Sequence, residues 1–336
     1  LAGIPARAAF APQGVARMFQ KLFAVMALSG MALSAHADAL YSNGAFITQP
    51  TGGTGTIAGL PISKCDGFTV PGSTFVYSTT GIAETVATST AVAEDFTVPA
   101  QGWDLDTLTV YAFQTSQTTA TVTQVQVNLW TETPYNAGSP GAPATLPQPM
   151  LAANLLLTPS PGVFVCHRQS ASSTGTVRPV FAYTVSLDGL PDGGRLPAGR
   201  YWIQWSCLGA ASPSNNVFTP LVSPRTSVSG HNARQLNALD GNPASPRVWF
   251  EGREGYVAGS SDGRAFELPF ELAGTLLPTP CPADLDGDRD VNAGDVALAL
   301  LDYGPCVPCA ADLDGDGDVN SGDIALMLLD FGPCPN

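Results

Sequence analysis

Twelve residues near the C-terminal end are spaced as oxygen ligands of a hard metal ion. Asp284, Asp286, Asp288, Asn292 and Asp295 occupy positions 1, 3, 5, 9 and 12 of a twelve-residue loop. Asp312, Asp314, Asp316, Asn320 and Asp323 repeat the pattern 28 residues later. Asp290 and Asp318, at position 7, would offer backbone carbonyls. Calcium takes about 6–8 oxygen ligands, and this spacing wraps oxygens around one point. The sequence therefore predicts two Ca2+ sites, one per loop. Position 6 makes a sharp turn that favours glycine. It is Gly317 in the second loop but Arg289 in the first, so the first site is expected to be the weaker. Asp at position 12 is one methylene shorter than Glu, so bidentate reach there needs a tighter loop.

The loops lie in one unit written twice, from Cys281 to Cys306 and from Cys309 to Cys334. Each loop is followed by a short amphipathic stretch, Val296 to Tyr303 or Ile324 to Phe331, that reads as a helix. Gly304-Pro305 and Gly332-Pro333 stop both helices. Val291 and Val319, at position 8, are apolar and could pair the loops back to back. The four cysteines allow Cys281–Cys306 with Cys309–Cys334, or Cys281–Cys334 with Cys306–Cys309, and the sequence does not choose. A zinc site on these cysteines would leave the oxygen ligands unexplained.

Paired loops with Asp at position 12, each followed by one helix, resemble a type I dockerin over residues 281–336. The resemblance implies two Ca2+ sites held by the side chains above, with Asp290 and Asp318 as carbonyl ligands. It also implies docking onto a cohesin-like protein or another cell-surface partner. Loop positions 10 and 11, which help choose the partner in clostridial dockerins, are Ala293-Gly294 and Ser321-Gly322 here. The later recognition spot, often basic in those relatives, reads Leu301-Asp302 and Leu329-Asp330.

The acidity of the chain is concentrated in this module. Of a net charge of −14, residues 281–336 contribute −11, from twelve Asp and one Arg. The charge is ligand chemistry, and nothing favours nucleic acid. A 56-residue unit buries little apolar area, so calcium and disulfides are the expected staples.

The rest of the chain must carry and export this module. Residues 1–39 read as a leader with a secretory signal peptide from Met18. Lys21 is its charged end, Leu22 to Leu33 its apolar run, and Ala37 or Ala39 its cleavage point. The run is too short to span a bilayer, which takes about 20 residues. No membrane span is expected in the mature chain, and the location expected is secreted, extracellular or cell-surface. Residues 40–276 alternate with period two, as in Val125, Val127 and Leu129 against Gln124, Gln126 and Asn128. Further rows are Leu108, Val110 and Ala112; Phe181, Tyr183, Val185 and Leu187; Tyr201, Ile203 and Trp205. Phe266, Leu268, Phe270 and Leu272 form another, with Pro269 suggesting an edge or a bulge. The fold class is mainly β: an antiparallel, jelly-roll-like β-sandwich over 40–276, a linker over 277–280, and the small helical module over 281–336.

Catalytic patterns are scarce. HExxH, P-loop and G-x-G-x-x-G patterns are all missing. His167 follows Cys166, but in an exported chain Cys65, Cys166 and Cys207 are more readily read as disulfide partners with one left over. Glycoside hydrolysis needs two facing carboxyls. Candidates are Glu94/Asp95, Asp104/Asp106, Glu132, Glu251/Glu254 and Glu267/Glu271, the last two on one face of a strand. Trp103, Trp130, Trp202, Trp205 and Trp249 could stack sugars if exposed, or fill the core. The reading is a non-enzymatic binding or display protein with a polysaccharide or surface ligand. The alternative is an O-glycosyl hydrolase of extracellular polysaccharide breakdown.

Overall fold

The computed structural model describes residues 38–334, apart from 53–58, 66–67, 70–75, 78–79, 171–174, 211–215, 223–231, 239, 241, 243, 253–265, 278–280 and 307–308. The fold is mainly β. The expected leader lies outside the described residues except Asp38 and Ala39. Both belong to the first strand, Asp38–Ser42.

Two sheets hold most of the described strand residues before residue 277. Sheet I runs, in spatial order, Asp38–Ser42, Phe270–Leu276, Trp103–Ala112, Pro179–Ser186, Val163–Gln169 and Ile62–Lys64. A short strand, Arg195–Leu196, also pairs with the Trp103 end. Sheet II runs Arg247–Glu251, Arg234–Ala238, Ala91–Val98, Gly199–Leu208, Gln124–Trp130 and Leu155–Leu157. All of these pairings are antiparallel except one at the edge of sheet I, where His167 lies opposite Ile62 in a parallel register.

The alternation read from the sequence selects the inner faces. Leu108, Val110, Ala112, Phe181, Tyr183, Val185, Phe270 and Leu272 come from sheet I. Val92, Phe96, Val125, Val127, Leu129, Tyr201, Ile203 and Trp205 come from sheet II. All sixteen are buried in one apolar cluster. A fully buried side chain of this size contributes about 1.5–3 kcal/mol, so this shared core dominates the region's stability.

Pro269 is neither at an edge nor in a bulge. Having no N–H to give the ladder, it ends the lead-in, and the strand starts at Phe270 in the second position of sheet I. The bulge falls at the other end of that strand, between Ala273 and Gly274. A Cβ on Gly274 would sit 2.0 Å from the Asp104 carbonyl oxygen, so only glycine fits there.

The outer face of sheet II carries a second cluster, Ala91, Ala93, Trp130, Trp202 and Trp249. The segment between Trp130 and Leu155 covers it. Asn136 Oδ1 and Ser139 Oγ both accept from the Trp249 N–H, at 3.3 and 3.1 Å. Trp130 Nε1 donates to Gln204 Oε1 at 2.9 Å. Sheet II is covered on both faces, and no tryptophan of either sheet is open to solvent: Trp103, Trp130, Trp202, Trp205 and Trp249 are all at most 6 % exposed. Of the two readings, sugar stacking or core filling, every tryptophan takes the second.

Beyond residue 280 lie the two helices, Ala293–Leu301 and Ser321–Leu329. Among the described residues, no helix is long and apolar enough to cross a membrane.

Candidate metal centre

Each loop is built by acid side chains accepting from nearby backbone N–H groups. Asp284 accepts from Gly287 and Arg289 at 2.8 and 2.9 Å. Asp286 accepts from Asp288 at 3.1 Å, and Asp288 from Asp290 at 2.8 Å. Such Asx turns coil the chain about its own carboxylates. Position 4 takes a left-handed backbone in both copies, Gly287 at φ 78° and Gly315 at φ 74°. Position 6 does so too, with Gly317 at φ 91° and Arg289 at φ 71°. Arg289 bears a Cβ in that conformation, which costs about 1–2 kcal/mol.

Asp295 anchors the loop to the helix that follows. Its Oδ1 accepts from Leu285 and Asp286 at 2.7 and 3.1 Å, and its Oδ2 from Asn292 at 2.8 Å. Asn292 Oδ1 in turn accepts from Gly294 at 2.7 Å, completing a capping box. Asp323 and Asn320 repeat the arrangement. Both carboxylates are fully buried. Burial pushes the Asp295 carboxyl up, but the backbone donors outweigh it and hold the group below the usual range. For Asp323 the donor from Asn320 leads and the direction is the same. Asp286 goes the other way. Its Asp288 donor favours the charged form, yet desolvation and the charges of Asp288, Asp295 and Asp284 together raise it.

The structure brings six of the twelve predicted residues into two triads. Carboxylate oxygens of Asp284, Asp286 and Asp295 lie within 4.8 Å of one another, as do those of Asp312, Asp314 and Asp323. Three carboxylates this close repel unless a cation sits between them, and all-oxygen donors suit calcium. The other six are not gathered in the same way. Asp288, Asp290, Asp316 and Asp318 are exposed. Asn292 and Asn320 spend their side-chain oxygens on helix capping. Their amides face Asp288 and Asp316 at 3.3 Å, and the position-7 carbonyls at 2.9 and 3.3 Å. Direct ligation through those Asn oxygens is not the arrangement seen.

The two copies interlock. Asp290-Val291 pairs with Gly332-Pro333, and Asp318-Val319 with Gly304-Pro305. Val291 and Val319 do not pair with each other. Each loop instead takes as its partner the chain just past the other copy's helix, and both valines fill a core with Ala283, Ala299, Ala311 and Met327. The cysteines follow suit, pairing Cys281 with Cys334 and Cys306 with Cys309. Each copy's leading cysteine thus joins the other's trailing one. The first bridge closes a separation of 53 residues and the second only 3.

The acids of the sheets are arranged otherwise. Glu267 and Glu271 do not share a site. Glu271 accepts from the Tyr111 hydroxyl at 2.7 Å, whereas Glu267 meets Glu94, 2 % and 0 % exposed respectively. Asn43 Nδ2 donates to Glu267 at 3.4 Å, and the Leu268 N–H donates to Glu94. Burial, then the facing carboxylate, pushes Glu94 well up; burial takes Glu267 to about 7. Asp95 and Asp104 sit near Arg200 and Arg195, at 3.5 and 3.4 Å. Glu132 is exposed, Glu251 accepts from Asn232, and Glu254 lies outside the described residues. Sequence reasoning passed over Glu84, whose carboxyl is fully buried beside the Cys207 thiol and Trp205 indole and is pushed well up by that burial. Only its place in an otherwise apolar stretch could have flagged it. No disulfide joins Cys65, Cys166 and Cys207. Cys166 and Cys207 lie on different sheets, and burial pushes the Cys166 thiol up to about 12, far from a reactive thiolate.

No protein-family model, curated protein or solved structure matches the chain. Function therefore rests on the site itself.

Proposed function

We propose that this is an exported, non-enzymatic protein whose dockerin-like C-terminal module binds two Ca2+ ions and attaches the chain to a protein partner. The two sheets with one shared core read as a jelly-roll-like β-sandwich that serves as the displayed body. The observation that carries the reading is the pair of carboxylate triads, at positions 1, 3 and 12 of both loops. Calcium, when bound, supplies the positive charge that ties the start of each loop to its helix. The chain's own contribution is Asp295 and Asp323, which are fixed by backbone donors before any ion arrives. Attachment is supported by apolar exposure. Leu298, Leu300, Leu301 and Tyr303 are exposed, and so are their counterparts Leu326, Leu328, Leu329 and Phe331. So much exposed apolar surface on so small a unit fits a docking face. Export fits the strand boundary: cleavage after Ala37 leaves Asp38–Ser42 whole, whereas cleavage after Ala39 removes its first two residues.

Limited proteolysis of the full chain tests the calcium reading. With Ca2+, residues 281–336 should resist cleavage; with chelator they should be cut while the sheets survive. Identical digestion in both conditions would overturn it.

A further inference from the structure

We infer that the partner of the C-terminal module presents an apolar surface flanked by lysine or arginine side chains. The inference rests on the docking reading above and adds the chemistry of the partner to it. Leu301 and Leu329 are the two most exposed large apolar residues described, at 81 % and 82 %. Each ends a helix and is followed at once by an acid, Asp302 or Asp330, that caps the helix. The Asp302 N–H donates to the Leu298 and Ala299 carbonyls, and the Asp330 N–H to those of Leu326 and Met327. A helix C-terminus already carries partial negative charge, so an acid there is unfavourable and a cation is wanted. Neither helix has a basic residue in its last turn. Tyr303 and Phe331, both more than half exposed, stand on the far side of each acid.

Charge also rules against a second copy of the chain as the occupant. The module has twelve Asp and one Arg, and two bound Ca2+ ions would still leave it strongly negative. Two such faces repel, whereas a basic rim around an apolar centre relieves both the exposed leucines and the uncompensated acids.

The test uses the full chain with calcium and three labelled helical peptides read by fluorescence anisotropy. One peptide has leucine on one face and lysine on the other; one has leucine and glutamate; one has serine and lysine. The leucine/lysine peptide should bind at least about tenfold more tightly than either of the others. Asp302→Lys with Asp330→Lys should remove that preference over leucine/glutamate. Glu132→Lys with Asp188→Lys, the same charge change at exposed positions just past two strands of the sheets, should leave it intact. Equal binding of leucine/lysine and leucine/glutamate would overturn the basic partner while leaving the docking face standing. Equal binding of serine/lysine, or loss of preference in the sheet variant, would reduce the effect to general attraction and overturn the inference. Binding of none of the peptides would overturn it together with the docking reading.

Discussion

Carboxylates do opposite work in the two parts of this chain. In the sheets, Glu94 and Glu267 are pressed together out of water, and burial favours their neutral forms. In the C-terminal module, Asp295 and Asp323 are equally hidden but surrounded by backbone N–H donors that favour the charged form. Burial alone thus decides nothing about an acid. The donors around it decide whether it stays an anion fit to hold a metal or becomes a protonated core group.

Breaking the anionic half of this contrast should have the largest effect. Asp295→Ala with Asp323→Ala removes both helix anchors and one member of each triad. The module should stay protease-sensitive even in calcium, while the sheets unfold at an unchanged temperature. The second-largest effect should come from the staples. In the chain-entropy picture a bridge across 53 residues is worth about 4 kcal/mol and one across 3 about 2 kcal/mol. Replacing Cys281 and Cys334 by serine should therefore destabilise the module more than replacing Cys306 and Cys309. Calcium-loaded denaturant unfolding of the two variants, followed by proteolysis, would measure the gap.

The neutral half is sharpened by pH. A carboxyl raised on folding stabilises below its unfolded pKa, and that contribution is lost as pH rises through the folded value. For Glu267 the window runs from 4.5 to about 7, which corresponds to about 3 kcal/mol. The sheets should thus be more stable at the acid end of that window than above it, and Glu267→Gln should flatten the profile. All five tryptophans lie in the sheets, so their fluorescence reports this region alone. The smallest effect concerns the two loops themselves. Arg289→Gly should relieve about 1 kcal/mol of left-handed strain and tighten the first site towards the second. Calcium titration of wild type and variant would show it.

Legibility in the sequence differed between the parts for physical reasons. Strand faces were plain, because Val125, Val127 and Leu129 or Tyr183 and Val185 declare an inner side by period alone. The gathering of the acids at loop positions 1, 3 and 12 was plain because loop spacing fixes it. The helix starts were set three residues too late, although Asn292 and Asp295 are a capping box in the sequence itself. The pairing of Val291 with Gly332 depends on how two copies interlock, which no local pattern encodes. Trp202 alternates like a solvent-facing residue; a distant loop covers it. The meeting of Glu94 and Glu267, 173 residues apart, likewise depends on how the sheets stack.

Calorimetric titration of the full chain with Ca2+, alongside Asp295→Ala and Asp323→Ala singly, tests the central claim most directly. The account predicts two ions per chain in the wild type and one in each variant. Absence of saturable binding in the wild type, or an unchanged two-ion stoichiometry in both variants, would contradict it.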